Sequence, residues 1–145
     1  MDEVGKVVLG VIGEDVHTVG IKILEMALKD AGFQVVSLGA QVSQEEFIDA
    51  ASQTGADAIL VSSFSGHAEM LVEGFRERCK RAGLKDVILY IGGYLTLEGR
   101  PWEEVEGRFK ELGFDRVYPP GTKPEKALED LRQDIQSRRR AHGKE

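Results

Sequence analysis

Two periods of apolar residues alternate along this chain. Short runs rich in β-branched residues, Val7–Ile12, Phe33–Gly39, Asp57–Ser62, Val87–Ile91 and Asp115–Tyr118, have the length of buried strands. Between them the apolar positions fall at helical spacing: Ile21, Leu24, Ala27, Leu28 and Ala31; Phe47, Ala50, Ala51 and Thr54; Leu71, Phe75, Cys79 and Ala82; Trp102, Val105, Phe109 and Leu112; and finally Ala127, Leu128, Leu131 and Ile135. Gly32, Gly55 and Gly83 stop the first three helices. Ser43 and Glu46 form a capping box ahead of the second, and Pro101 precedes the fourth.

Five strands alternating with five helices predict an α/β fold, a parallel sheet covered on both faces. Right-handed crossovers and this length favour the flavodoxin-like (Rossmann-like) order 2-1-3-4-5, with its switch point between the first and third strands. Ligands bind such sheets at the carboxyl ends of the strands. Three strand exits meet there: Gly13–Gly20 after strand one, Ser62-Ser63-Phe64-Ser65-Gly66 after strand three, and Gly92-Gly93-Tyr94 after strand four.

The first exit carries the most chemistry. An imidazole that binds a metal through one nitrogen needs an acceptor on the other, and Asp15 stands two residues before His17. Gly20 removes a side chain where a flat ligand would approach the backbone. An ordinary strand-to-helix loop whose Asp caps the helix reads the same residues as well.

Composition narrows the classes. With 145 residues, one domain is expected; 41% apolar and 30% charged residues are ordinary for a globular protein. No apolar run approaches the ~18 residues of a membrane span, and Met1-Asp2-Glu3-Val4 lacks a signal peptide's features. The formal net charge of −6 argues against nucleic acid as a partner. Cys79 is the single cysteine, which suits a reducing cytoplasm. The domain is expected over residues 1–137, with 138–145, which includes Arg138-Arg139-Arg140, as a basic, disordered tail.

Rival uses of the rim fare worse. A receiver domain needs a phosphorylatable Asp at the end of strand three, where Ser62 and Ser63 stand instead. Glu14-Asp15 would repel the phosphate a flavodoxin binds after strand one. His17, His67, His142 and Cys79 lack the spacing of a zinc site.

Asp15-Val16-His17-Thr18-Val19-Gly20 resembles the D-x-H-x-x-G signature of cobalamin-binding domains in which a histidine replaces the cofactor's benzimidazole below cobalt. Ser62-Ser63-Phe64 stands where that family has S-x-L, and Gly92-Gly93 where it has G-G; the resemblance runs from about Val7 to Asp134 and includes Gly113–Thr122. It implies adenosylcobalamin as cofactor, His17 as cobalt ligand and Asp15 as its hydrogen-bond partner. It extends cofactor contact to Glu14, Val16, Thr18, Gly20, Ser62, Ser63, Phe64, Gly92, Gly93, Tyr94, Leu95, Thr96, Leu97, Glu98 and Tyr118. The displaced benzimidazole would enter a slot between sheet and first helix, walled by Ser62, Ser63, Phe64, Gly92 and Gly93.

The function so implied is the cobalamin-binding component of a two-component carbon-skeleton mutase. Its reaction would be the radical interconversion of L-glutamate and L-threo-3-methylaspartate, with a separate, larger barrel-type catalytic subunit holding the substrate. Ser65-Gly66-His67 leans instead towards acyl-CoA mutases, which makes a small subunit of such an enzyme the alternative. A non-catalytic cobalamin carrier or sensor is a third reading. Methyl-transfer corrinoid proteins usually carry a helical module ahead of this domain, and none is seen.

Overall fold

The computed structural model describes residues 4–13, 18–96 and 99–143. Five parallel strands, β1 (Lys6–Val11), β2 (Gln34–Ser37), β3 (Ala58–Ser62), β4 (Ile88–Gly92) and β5 (Arg116–Tyr118), form one sheet in the order β2-β1-β3-β4-β5. In register, Leu9 lies between Ser37 and Leu60, and Ser62 between Val11 and Gly92. The carboxyl ends of β1, β3 and β4 are therefore level, which is what brings their exit loops to one rim.

Alternation along the strands separates two cores. Val8, Ile59, Val61, Leu89 and Ile91 face one side, where α2 (Gln44–Thr54), α3 (Ala68–Leu71), α4 (Phe75–Arg81) and α5 (Trp102–Glu111) cover them. Val7, Leu9, Val11, Leu60 and Tyr90 face the other, under α1 (Val19–Asp30) and α6 (Pro124–Gly143). The doubly covered parallel sheet and its strand order agree with the sequence reading. So does the capping box: Ser43 Oγ accepts from the Glu46 amide at 3.1 Å, and Glu46 Oε1 accepts from the Ser43 amide at 2.8 Å.

Two elements depart from it. The single third helix expected to end at Gly83, with Leu71, Phe75, Cys79 and Ala82 inward, is broken into α3 and α4. Gly74, with φ 78°, turns the chain, and Gln44 Nε2 donates to the released carbonyls of Leu71 and Glu73 at 2.7 and 3.0 Å. Ala82, expected inward, is exposed past the end of α4. Cys79 is fully buried, and burial pushes its thiol up to about 11, so it is packing material rather than a reactive group.

The second departure is the basic segment. Helix α6 continues through Gly143 where a disordered tail was expected from 138. Arg138 donates to the carbonyls of Asp57 and Asp86, at the amino ends of β3 and β4, and pairs with the Asp57 carboxylate. A run that reads as solvated charge is thus partly a clamp across the amino edge of the sheet.

Candidate functional site

Past their last ladder bonds, β3 and β4 stay tied together. The Ser63 amide donates to Gly92 O at 3.1 Å, the Gly66 amide to Tyr94 O at 3.2 Å, and His67 and Thr96 form an antiparallel bridge. Gly93 lies at φ +112°, and a Cβ there would stand 2.2 Å from the Ser63 carbonyl oxygen. Only glycine fits, on conformational and steric grounds alike.

Beside this paired rim a slot opens between α1, the sheet and the β5–α6 turn, with a volume of about 160 Å³. Gly20, Ile21 and Leu24 of α1 form one wall. Leu9, Leu60, Ser62, Tyr90 and Gly92 form the sheet side, and Tyr118 to Pro124 with Ala127 form the opposite wall. The Phe64 ring stands at the mouth. Its Cζ is 3.8 Å from a Cβ placed on Gly20, its Cε1 is 3.4 Å from one placed on Gly93, and the ring lies edge-on to Tyr94 at 6.2 Å.

Behind the slot an ionic network fixes β4, β5 and α6. Tyr90 and Tyr118 pack edge to face at 5.6 Å. Tyr118 Oη donates to Asp130 Oδ2 at 2.6 Å, and Tyr90 Oη to Asp134 Oδ2 at 2.5 Å. Arg116 donates to both oxygens of Asp134 at 2.8 and 2.9 Å, a bidentate pair, and Lys126 reaches the buried Asp130 at 3.2 Å. Burial, then the bonds to the carboxylates, raises both tyrosines far above the ordinary phenol. Burial also pushes Asp134 up, but the hydrogen bonds from Arg116 and Tyr90 outweigh it and hold its carboxyl below the usual range.

At the far side of the rim, Glu69 of α3 accepts from Arg108 Nε at 2.6 Å and pairs with Arg100 at 3.6 Å. The bond from Arg108 ties α3 to α5 and holds the Glu69 carboxyl below its ordinary range.

Of the residues expected to hold a ligand, Gly20, Ser62, Phe64, Gly92, Gly93 and Tyr118 line the slot. Ser63 and Leu95 are buried and are not among the residues lining the slot. Tyr94 is 59% exposed beside the mouth, Thr96 lies in the bridge to His67, and Thr18 is the N-cap of α1. Glu14, Asp15, Val16, His17, Leu97 and Glu98 lie outside the described residues. Sequence reasoning missed the wall made by Pro119, Pro120, Gly121, Thr122, Lys123 and Ala127. The signal was present, since that turn leaves β5 at the same carboxyl edge.

Among the described residues no group of His, Cys, Asp and Glu is arranged to hold a metal ion, and no helix is long and apolar enough to cross a membrane. The phenols lining the slot, Tyr90 and Tyr118, are tied to carboxylates of α6. The arrangement is suited to holding a flat apolar body, not to proton transfer.

A parallel sheet with a glycine-lined slot at its switch-point edge defines a cofactor-binding α/β domain, and residues 5–129 match the family described as B12 binding domain, to which the chain belongs. The chain is 56% identical over 128 residues to the glutamate mutase sigma subunit of Carboxydothermus hydrogenoformans, covering 88% of this chain and 93% of that one. With the glutamate mutase sigma subunit of Fusobacterium nucleatum it shares 51% over 130 residues, 90% and 96% of the two chains. Within the B12-binding family, then, it is a member of the glutamate mutase sigma subunit group. The fold is also that of a cobalamin-binding protein from Desulfitobacterium hafniense DCB-2, with a TM-score of 0.72 at 21% identity, over 90% of this chain and 58% of the other.

The slot fits a cobalamin held with its benzimidazole arm displaced. Its walls are largely apolar, and glycines stand at positions 20, 92 and 93 of its lining.

Proposed function

We propose that this chain is the cobalamin-binding component of an adenosylcobalamin-dependent glutamate mutase, an isomerase interconverting L-glutamate and L-threo-3-methylaspartate. The observation that carries the reading is the slot. One wall is the first turn of α1, which begins two residues after His17, and the other walls contain Ser62, Gly92 and Gly93 of the remaining signature elements. In this reading His17 would hold cobalt through one ring nitrogen, and Asp15 would accept from the other N–H and so fix the tautomer.

Adenosylcobalamin supplies, when bound, the radical chemistry of its cobalt–carbon bond. The chain's own residues bind and orient. The slot excludes water from the displaced arm, while the bonds from Ser63 to Gly92 and from Gly66 to Tyr94 keep the rim rigid. In this reading the substrate belongs to a larger, barrel-type partner subunit closing over the rim. Tyr94 and Met70, 59% and 70% exposed on the segments leaving β4 and β3, would supply apolar contact to it.

The test is electron paramagnetic resonance of bound cob(II)alamin, using protein labelled with ¹⁵N-histidine. The nitrogen hyperfine splitting should change with the label in the wild type, and the labelled His17→Ala variant should lose that change. Splitting indifferent to the label means the cofactor keeps its own base, and the assignment fails. Independently, mixing with a glutamate mutase barrel subunit and adenosylcobalamin should give glutamate-dependent 3-methylaspartate, with neither protein active alone.

A further inference from the structure

A second concavity, of about 660 Å³, lies at the amino ends of β4 and β5, on the edge of the sheet opposite the slot. It is bounded by α4, the end of α5 and the middle of α6, and the buried Val87, Ile88 and Phe114 are part of its lining. Six cations line it, Arg76, Lys80, Lys85, Lys110, Arg116 and Arg138, against three carboxylates, Asp86, Asp115 and Asp134. The chain as a whole carries a formal net charge of −6, so this surplus runs against its average.

The guanidiniums are already fixed. Arg76 donates to Gly113 O at 3.0 Å and Val87 O at 2.8 Å, and pairs with Asp115 at 3.1 Å. Arg116 grips Asp134, and Arg138 is bonded to Asp57 and to the Asp86 carbonyl. The lysines are not. Lys80 and Lys85 are exposed and make no ion pair among the described residues. Lys110 pairs at 3.4 Å with Glu106, which is not part of the lining. A cation in the last turn of a helix complements its carbonyl end, which accounts for Lys80 in α4 and Lys110 in α5. It does not account for Lys85, in the turn between α4 and β4, which adds a further unpaired charge to the same concavity.

We propose that this cleft is a binding site for a polyphosphate-bearing anion, with Lys80, Lys85 and Lys110 as its charge partners. The site is separate from the cofactor slot and does not depend on how that slot is read. Cations contributed by three segments need a ligand that carries several charges along its length, which a single carboxylate does not. The volume falls within the ~300–1,000 Å³ of small-molecule sites, more than one phosphate group fills. Ammonium groups act on phosphate as point charges, so the lysines supply attraction while the fixed guanidiniums keep the walls in place.

The test is calorimetric titration of the full chain, without cobalamin and in metal-free buffer, with inorganic tripolyphosphate and with adenosine triphosphate. Tripolyphosphate should bind saturably at one site, with an affinity that falls as salt is raised. Tighter binding of the nucleotide would assign the site to nucleotides, and equal or weaker binding would assign it to the phosphate chain alone. Lys80→Gln combined with Lys85→Gln should weaken tripolyphosphate binding at least ~5-fold, the effect of losing two partly exposed charge pairs. Lys22→Gln combined with Lys29→Gln removes the same charge from the exposed side of α1, outside the cleft. That control should stay within about 2-fold of wild type, because salt screens charges lying beyond a Debye length. Absence of saturable binding overturns the proposal. So does equal weakening by the two double variants, which would make the attraction a property of net charge and not of the cleft.

Discussion

The two faces of the sheet are built from different materials. Under α2 to α5, the interior is closed with phenylalanines: Phe47, Phe75, Phe109 and Phe114 are almost wholly buried, with ring pairs at 5.9 and 6.1 Å. Under α1 and α6, the large rings are those of Phe33, Tyr90 and Tyr118, and the two tyrosine hydroxyls are tied to carboxylates of α6. Helix α1 fully buries only Ile21 and Leu28, while Val19, Ile23 and Met26 lie more than half exposed. A solid core can be held by dispersion alone. In the face that keeps a slot, the directed bonds behind Tyr90 and Tyr118 hold the walls at fixed spacing.

The largest effect should come from the solid face. Phe75→Ala removes a fully buried ring that touches both Phe47 and Phe114, and its loss should cost about 3–5 kcal/mol of unfolding free energy in urea. Cofactor affinity of the protein that remains folded should be nearly unchanged, because none of these rings lines the slot. A matching collapse in affinity would show that the two faces are not separable.

Next in size is a change on the rim. Gly93→Ala forces a positive φ on a β-carbon and drives it into the Ser63 carbonyl. Strain and overlap together should cost roughly 2–4 kcal/mol. Here stability and cofactor binding should fall together, since relief requires separating the paired exits of β3 and β4. Wild-type affinity in Gly93→Ala would mean that this pairing does not shape the slot.

Strand order and the meeting of three exits on one rim were legible because β-branched runs, helical spacing and crossover handedness are local or topological facts. Ser62, Gly92 and Gly93 could be placed at the slot by that logic. What escaped depends on partners distant in sequence. The break at Gly74 is stabilised by Gln44, whose reach no spacing rule reports. The helix continued at Arg138 is tied to carbonyls of Asp57 and Asp86. The Tyr90–Asp134 and Tyr118–Asp130 bonds require the register of α6 against β4 and β5.

A smaller effect tests the polar clamp. Asp134→Asn keeps the shape but removes the charge that Arg116 grips, and should cost about 1–2 kcal/mol at neutral pH. The sign with pH follows from the direction of each shift. Asp134 is lowered on folding, so its contribution is complete above the ordinary Asp range near ~4 and disappears as pH falls through the lower folded value. The variant should lack that part of the acid loss. Tyr90 and Tyr118 are raised, so their contribution is complete below ~10 and declines as pH climbs above it. Urea midpoints measured across pH for both proteins check this, and identical acid limbs would mean the Asp134 pair contributes no net stability.

The smallest change bears most directly on why the leaner face stays lean. Gly20 lies in the first turn of α1, and a Cβ there would meet only Phe64 Cζ, at 3.8 Å, an ordinary contact. Nothing in the empty protein requires glycine at this position. Gly20→Ala should therefore stabilise the cofactor-free protein by about 0.5–1 kcal/mol, through the lower backbone entropy of the unfolded chain and better helix propensity. The same methyl would stand in the slot wall formed by Gly20, Ile21 and Leu24. Cofactor affinity should drop several-fold while the melting temperature of the empty protein rises, opposite movements that a purely structural glycine could not produce. Higher stability with unchanged affinity would make Gly20 an incidental glycine and leave the slot's width to Gly92 and Gly93. Lower stability would mean that α1 needs glycine for its own packing, and the division between a face built for strength and a face kept open would have to be redrawn at this helix.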